Sequence, residues 1–454
     1  MNELSVKEDQ ARYDDALVAK IARRLIPFLA ISYFASYLDR VNLSFAATEM
    51  TRDLHFSPQV YGWGAGIFFL GYALLEPPSN YMLHLLGARI WISRIMLSWG
   101  IISGLAALTW NETSFYLLRF LLGAAEAGFM PGIILYLTYW IPPQRRARIL
   151  ADFLFAVPLA TVFGAPISSY LLIATEGLMG LRGWQWLFIF EAIPPVILGL
   201  IAFFFLTDRP KKASWLSLEE RSRLEDLTTD PREEPAEQSV LLALVDHRAA
   251  TLGAAYFGVV LALYGLSMWL PQMVEAHGVS PASAGYVTAA PFIVGASAMY
   301  IWGRHSDWRG ERIWHIVLAA LAAATGLIGA AIMPNFILTM LALSFAAAGI
   351  FGVLPPFWAF VSDRFFGAEA AIAIALVNAI GNLAGFAGPY LVGWIKGGGG
   401  SYVQALIALA MGPLFCAALI LMTKSQSKRA GDGAASMAII LNLDDKSDNL
   451  TNCY

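Results

Sequence analysis

Apolar runs alternate with short polar ones from about residue 25 to residue 422. Each run is close to the ~20 residues that a helix needs to cross a hydrocarbon core ~30 Å thick. The pattern predicts twelve spanning helices, numbered here as spans 1 to 12, near 25–46, 60–82, 91–110, 114–139, 150–174, 185–206, 251–272, 283–303, 313–333, 336–358, 370–394 and 402–422. One long polar segment, 207–250, runs through Glu219-Glu220-Arg221 and Pro231-Arg232-Glu233-Glu234-Pro235 and divides the spans six and six. The expected organisation is therefore a cytoplasmic N-terminal tail over 1–24, a six-helix bundle over 25–206, a flexible or amphipathic cytoplasmic linker over 207–250, a second bundle over 251–422, and a disordered cytoplasmic tail over 423–454. The apolar stretch Met437 to Leu441 in that tail is too short to cross a bilayer.

Composition agrees with an all-α integral membrane protein. Of 454 residues, 58% are hydrophobic and 14% charged, against about 25% charged in a soluble domain. Lipid is then both solvent and partner for the outer helix faces. The net charge of −3 offers no footprint for nucleic acid. Cys416 and Cys453 form no CxxC and no metal-ligand set, so neither a disulfide framework nor a metal site is expected. Asp14 and Asp15 stand where a cleaved signal would be apolar. Basic residues are unevenly shared between the two faces. Arg23, Arg24, Arg145, Arg146, Arg148, Arg304, Arg309 and Arg312 lie on the face that carries the N-terminus, whereas the opposite loops hold Arg52, Arg182 and Lys396. The positive-inside rule then puts both termini in the cytoplasm. No nucleophile–base set or phosphate loop points to an enzyme, and no cofactor is implied.

The halves echo each other. Gly87-Ala88-Arg89 follows span 2, and Gly303 to Arg312 follows span 8; Gly164-Ala165-Pro166 in span 5 has a counterpart in Gly388-Pro389 of span 11. Parallel repeats of this kind place a substrate site at their interface near the midplane. The segment containing Gly303, Asp307, Gly310 and Arg312 resembles the Gly-x-x-x-Asp-x-x-Gly-x-Arg signature of the major facilitator superfamily, whose fold is two six-helix bundles. The first copy departs from it, with Asn80 and His84 at the glycine and acid positions, which questions the latch role of that acid in the first half. Tyr37-Leu38-Asp39-Arg40-Val41-Asn42 in span 1, the Arg119 to Gly132 segment of span 4, Arg182 to Phe188 before span 6 and Gly381-Asn382-Leu383 in span 11 are similar to the anion:cation symporters. That family includes bacterial carriers of tartrate, phthalate, hydroxyphenylacetate and sugar acids. The resemblance implies proton-coupled uptake of a small organic acid by alternating access, in a monomer of the bacterial inner membrane.

Charged side chains deep in lipid cost ~3 kcal/mol or more unless they line a cavity or pair. Asp39, Arg40, Arg119 and Glu126 therefore need explaining, and by depth the four could converge on one polar cavity. Arg40 is the first candidate to grip a carboxylate, because a guanidinium fork matches it bidentately. Arg119 is the second, or it holds Asp39 or Glu126. Asp39 and Glu126 are the expected proton-coupling acids, with protonation of Asp39 releasing an arginine for the substrate; a purely structural ion-pair network is the alternative for all four. Tyr37, Tyr72, Trp358 and Asn378 are softer substrate-contact candidates that could equally serve packing, and Asn382 is read as interhelical glue. Glu76 and Glu191 read as structural acids, and His247, His277 and His315 as interfacial residues. An exchanger or facilitator on the same fold, or a non-transporting sensor, are the rival readings. A phosphorylated sugar would call for more cations than Arg40 and Arg119 supply.

Overall fold

The computed structural model describes residues 3–154, 156–228, 246–365 and 367–423, and is helical throughout its spans. The linker stretch 229–245 and the tail from 424 lie outside the described residues. The twelve expected spans correspond, with ends shifted by up to six residues except in the longer first helix, to Glu3–Asp53, Pro58–Leu86, Ala88–Leu108, Glu112–Thr138, Ala156–Ala174, Gly183–Phe205, His247–Glu275, Pro281–Arg309, Ile313–Ile332, Phe336–Ser362, Gly367–Gly397 and Tyr402–Thr423. Among the described residues, nine of these helices are long and apolar enough to cross a membrane on composition alone. Spans 1, 2 and 5 are not among the nine; span 5 contributes the shorter apolar stretch Val162–Ala174. Span 1 is diluted by a buried polar row, Ser32, Ser36, Asp39, Asn42 and Ser44. A helix this polar is stable in lipid only because its polar side faces other helices.

The N-terminal segment is not a separate tail. It forms one helix with span 1 from Glu3, and the linker helix Leu218–Thr228 docks on it. Lys20 Nζ bonds Glu220 Oε1 at 2.7 Å, and Arg223 grips both oxygens of Asp14 at 2.8 and 2.7 Å. Asp15 pairs with Arg145 in the helix Pro143–Leu154 that leads into span 5. Arg24 lies over the rings of Phe205 and Trp215, and Trp215 stacks on Trp140. The basic face of the first six helices is thus capped by the start of the linker. Arg94 sits one turn inside span 3 and lays its guanidinium over Trp91 at 4.0 Å, a charge carried back toward the membrane edge by its long stem.

Across the halves, span 2 packs on span 11, span 5 on span 8 and span 1 on span 7. The tight approaches lie on the side away from the basic face. Tyr61 Oη donates to Met268 O at 2.7 Å, and a side chain at Gly62 would meet Pro389 O at 2.7 Å and Gly393 Cα at 2.9 Å. Phe69 packs on Tyr264 with ring centroids 4.4 Å apart. The membrane half opposite the basic face is therefore closed between the bundles.

Span 4 is broken. Its first segment ends at Glu126, Gly128 adopts φ +81°, and a second segment starts at Phe129. An added Cβ at Gly128 would also press on Ser79 of span 2, so both the turn and the crossing need glycine there. In span 8 the signature loop closes through Gly310 at φ +62°, while Arg312 reaches Asp307 at 2.6 Å and approaches Asp363 at the end of span 10 at 3.9 Å. Gly303 lies against Pro355 of span 10.

Two outcomes follow from these contacts. Gly128→Ala should cost about 1–2 kcal/mol from the left-handed backbone, plus the clash with Ser79. Gly177→Ala, at a similar φ of +77° with nothing within 4 Å of the added Cβ, should cost less, so Tm in detergent should fall further for the first. The guanidinium of Arg223 bonding Asp14 holds its carboxyl below the ordinary range. The clasp is therefore complete above the ordinary carboxylate pKa and is lost as pH falls through the depressed value. Asp14→Asn should mimic that loss at neutral pH, at a cost of up to ~1 kcal/mol, read as faster hydrogen exchange over Leu218–Thr228.

Candidate functional site

Arg40 and Glu126 form the central pair. Arg40 Nε donates to Glu126 Oε1 at 2.8 Å, and Nη2 stands 2.8 Å from the same oxygen. Ser36 donates to it as well, at 2.6 Å. Three groups thus crowd on Oε1, while Glu126 Oε2 and Arg40 Nη2 are left without a hydrogen-bond partner. Glu126 is fully buried and the Arg40 side chain 11% exposed, so the arginine is the member that open space can reach.

Aromatic rings surround the guanidinium. Arg40 lies 5.0 Å from the Tyr72 centroid and 5.6 Å from that of Phe68. Arg119 lies 5.0 Å from the same Phe68 ring, so one phenyl separates the two cations and offers each its negative face. Arg119 is only 3% exposed, and its Nε points at Gly64 O at 3.4 Å, a long contact. It also acts electrostatically on Asp39 and Glu126. Of the two expected arginines, Arg40 faces the open side and Arg119 stands behind the phenyl.

Asp39 departs from the expected arrangement. Although adjacent to Arg40, it projects about 100° further round the helix and turns into the N-terminal half, where it accepts from Ser103 and from Asn42 Nδ2, the latter at 3.1 Å. No salt bridge joins it to Arg40 among the described residues; the arginine that acts on it electrostatically is Arg119. The four charges make two neighbouring groups: Arg40 with Glu126 facing the centre, and Asp39 behind them, with Arg119 acting on both.

The softer candidates divide similarly. Tyr37 packs its ring on Val41 and Ala160 and lies in electrostatic range of Tyr264, Tyr33 and Arg40. Tyr72 meets Arg40 directly. Trp358 packs edge-on against Tyr256 at 5.0 Å, and Tyr256 in turn lies in range of Tyr264 and Tyr33. Asn378 and Asn382 are half-buried and four residues apart on span 11. Glu76 is half-buried within range of Arg40, nearer the centre than a plain helix interface. His315 is 7% exposed and bonds both Glu311 and His305 at 2.8 Å, which makes it part of the signature-loop packing and not an interfacial residue.

Sequence reasoning missed Ser36, Phe68, Tyr33, Tyr256 and Tyr264. The serines carried a signal, because Ser32, Ser36 and Asp39 recur at helical spacing along the face of span 1 that ends buried. Phe68 carried none: a phenylalanine in an apolar run does not announce that two cations will flank it.

A buried, half-satisfied cation–carboxylate pair inside the first helical half, whose contacts with the second half close one face, is a geometry that suits a membrane carrier. Residues 29–389 match the Major Facilitator Superfamily, and the chain belongs to it. Two relatives from Agrobacterium vitis, each named "Putative tartrate transporter", are 48% identical over 91% of this chain and 92% of theirs, and 47% identical over 92% and 96%. A bacterial homologue of the human lysosomal transporter Spinster, solved in an inward-facing, unoccupied conformation, superposes with a TM-score of 0.73 at 17% identity, over 89% of this chain and 96% of that one. The fold is thus that of a superfamily carrier.

Arg40→Lys should keep the charge but lose the fork, and Arg40→Ala should strand Glu126 as an unpaired buried carboxylate. Breaking such a pair costs about 2–5 kcal/mol. Substrate counterflow should therefore drop at least ~30-fold in Arg40→Ala and less in Arg40→Lys. Equal, undiminished counterflow in both would remove Arg40 from the site.

Proposed function

We propose that the chain takes up a small organic carboxylate together with protons, by alternating access, as a monomer in a bacterial inner membrane with both termini cytoplasmic. A hydroxy-diacid of the tartrate type is the first substrate to test, ahead of aromatic acids and sugar acids. The observation that carries this reading is Arg40 Nη2, a buried cationic donor that meets Glu126 as an ion pair without a hydrogen bond, beside the hydroxyl-bearing rings of Tyr72 and Tyr33. A carboxylate could take up that donor, and phenolic hydroxyls suit the hydroxyl groups of a tartrate. The names of the two Agrobacterium vitis relatives support the substrate class. The Asp39-Arg40 pair and the Arg119 to Gly132 segment support the anion:cation symporter branch.

Coupling follows from where charge is stored. Substrate binding adds an anion beside Glu126 and near Asp39, and a proton on either acid offsets that added charge, so each ligand favours the other. Closure opposite the basic face fits an inward-facing state, from which residues 25–206 and 251–422 would rock as two bodies about the central pair. Tyr37, Trp358 and Asn378 are proposed to complete the substrate site from spans 1, 10 and 11. Gly303, Asp307, Gly310 and Arg312 are proposed to control the rocking at the basic face.

The test is uptake into proteoliposomes under an imposed pH gradient, acid outside, against L-tartrate, phthalate and gluconate. Accumulation of one acid above its equilibrium level, abolished by a protonophore, is the expected result. Transport of a neutral sugar and of none of the acids would overturn the substrate class. Accumulation indifferent to the protonophore would overturn the coupling.

A further inference from the structure

Three acceptor oxygens buried in the N-terminal half have no donor: Asp39 Oδ2, Asn42 Oδ1 and Glu191 Oε2. Their side chains come from spans 1 and 6 and are at most 4% exposed. The donors present are few. Ser103 and Asn42 Nδ2 both serve Asp39 Oδ1, and Ser168 of span 5 serves Glu191 Oε1 at 2.9 Å. Asn42 also bears on Glu191, so its amide stands between the two acids.

The two carboxyls are not equivalent. Arg119 acts on Asp39. The groups acting on Glu191 are Ser168, Asn42 and Asp39, which include no cation. An ionised Glu191 would be a second anion beside Asp39, sealed from water, with the Ser168 hydroxyl and the Asn42 amide, which also bonds Asp39, as its donors. Such an arrangement costs several kcal/mol. A proton on Glu191 removes that charge and adds an O–H donor to a cluster that holds three orphan acceptors.

We propose that Glu191 is a proton-binding acid of the transport cycle, joined through Asn42 to Asp39 in one unit, and not a structural acid. The amide makes the two ionisations interdependent. Its NH2 now supports an ionised Asp39, and its oxygen calls for a protonated neighbour. If Glu191 loses its proton, the NH2 is wanted there, and Asp39 must take a proton in its turn. The unit therefore titrates as a pair. Span 6 thereby places a proton site behind the substrate site proposed for spans 1, 2, 4, 10 and 11.

This inference rests on the proton-coupled reading above, and the experiment separates the two. Glu191→Gln keeps the shape and the donor toward Asn42 but cannot release a proton. In proteoliposomes, uphill L-tartrate uptake driven by the pH gradient should fall about tenfold, while tartrate–tartrate counterflow stays within about twofold of native. In the infrared spectrum of the same liposomes, a protonated-carboxyl C=O band that titrates with pH should vanish in Glu191→Gln and return, shifted, in Glu191→Asp. Undiminished uphill uptake, or a band that persists in Glu191→Gln, overturns the proposal. If the native protein moves no tartrate, the substrate reading fails and the infrared band alone decides on Glu191; the band likewise decides if Glu191→Gln loses counterflow.

Discussion

Lipid cannot solvate a guanidinium or a carboxylate, and the central part of this molecule is arranged around that refusal. Arg40 and Glu126 neutralise each other at the junction of spans 1 and 4, and Tyr72 and Phe68 cover the guanidinium with aromatic faces. The break in span 4 directly after Glu126 belongs to the same solution. Ending a helix there puts a carboxylate at a helix C-terminus, an unfavourable place for an anion, and the arginine opposite makes it tenable. Removing the arginine would therefore disturb the fold and the site together.

The pair is neutral but not saturated. A structural ion pair satisfies its lone pairs and protons, whereas here Oε1 of Glu126 carries every contact, Oε2 carries none, and Nη2 of Arg40 makes no hydrogen bond. The same economy recurs behind it, where Asp39 and Glu191 have more acceptors than the serines and Asn42 can serve. Unsatisfied groups on this scale are costly. They are intelligible if the missing partners are a bound carboxylate on one side and protons on the other. Substrate and protons would then complete the electrostatics of one bundle by turns.

Packing around the pair explains how such an interior can move. The halves meet through glycines, backbone carbonyls and aromatic rings at Gly62, Pro389 and Phe69, packing that itself carries no charge. Ion pairs lie instead within each half, as in Arg182 with Asp53 and Arg312 with Asp307, and at the basic face, where the N-terminal extension and Leu218–Thr228 hold each other. Strong contacts are kept inside a bundle and weak, small-residue contacts between bundles, which is the division a rocking carrier needs.

The sequence by itself determined the helical membrane class and the superfamily, because hydrophobic length and intramembrane charge are local quantities that lipid enforces one helix at a time. It also singled out Arg40 and Glu126, since a charge in an apolar run is visible without a partner. It could not decide which charge faces which neighbour. Asp39 and Arg40 are consecutive, yet one turns into the bundle and the other toward the centre, a choice made by how span 1 is rotated against spans 3, 4 and 6. Nor could it show Phe68 between two arginines or Asn42 between two acids, because those are meetings of side chains on different helices. Only tertiary packing brings them within reach.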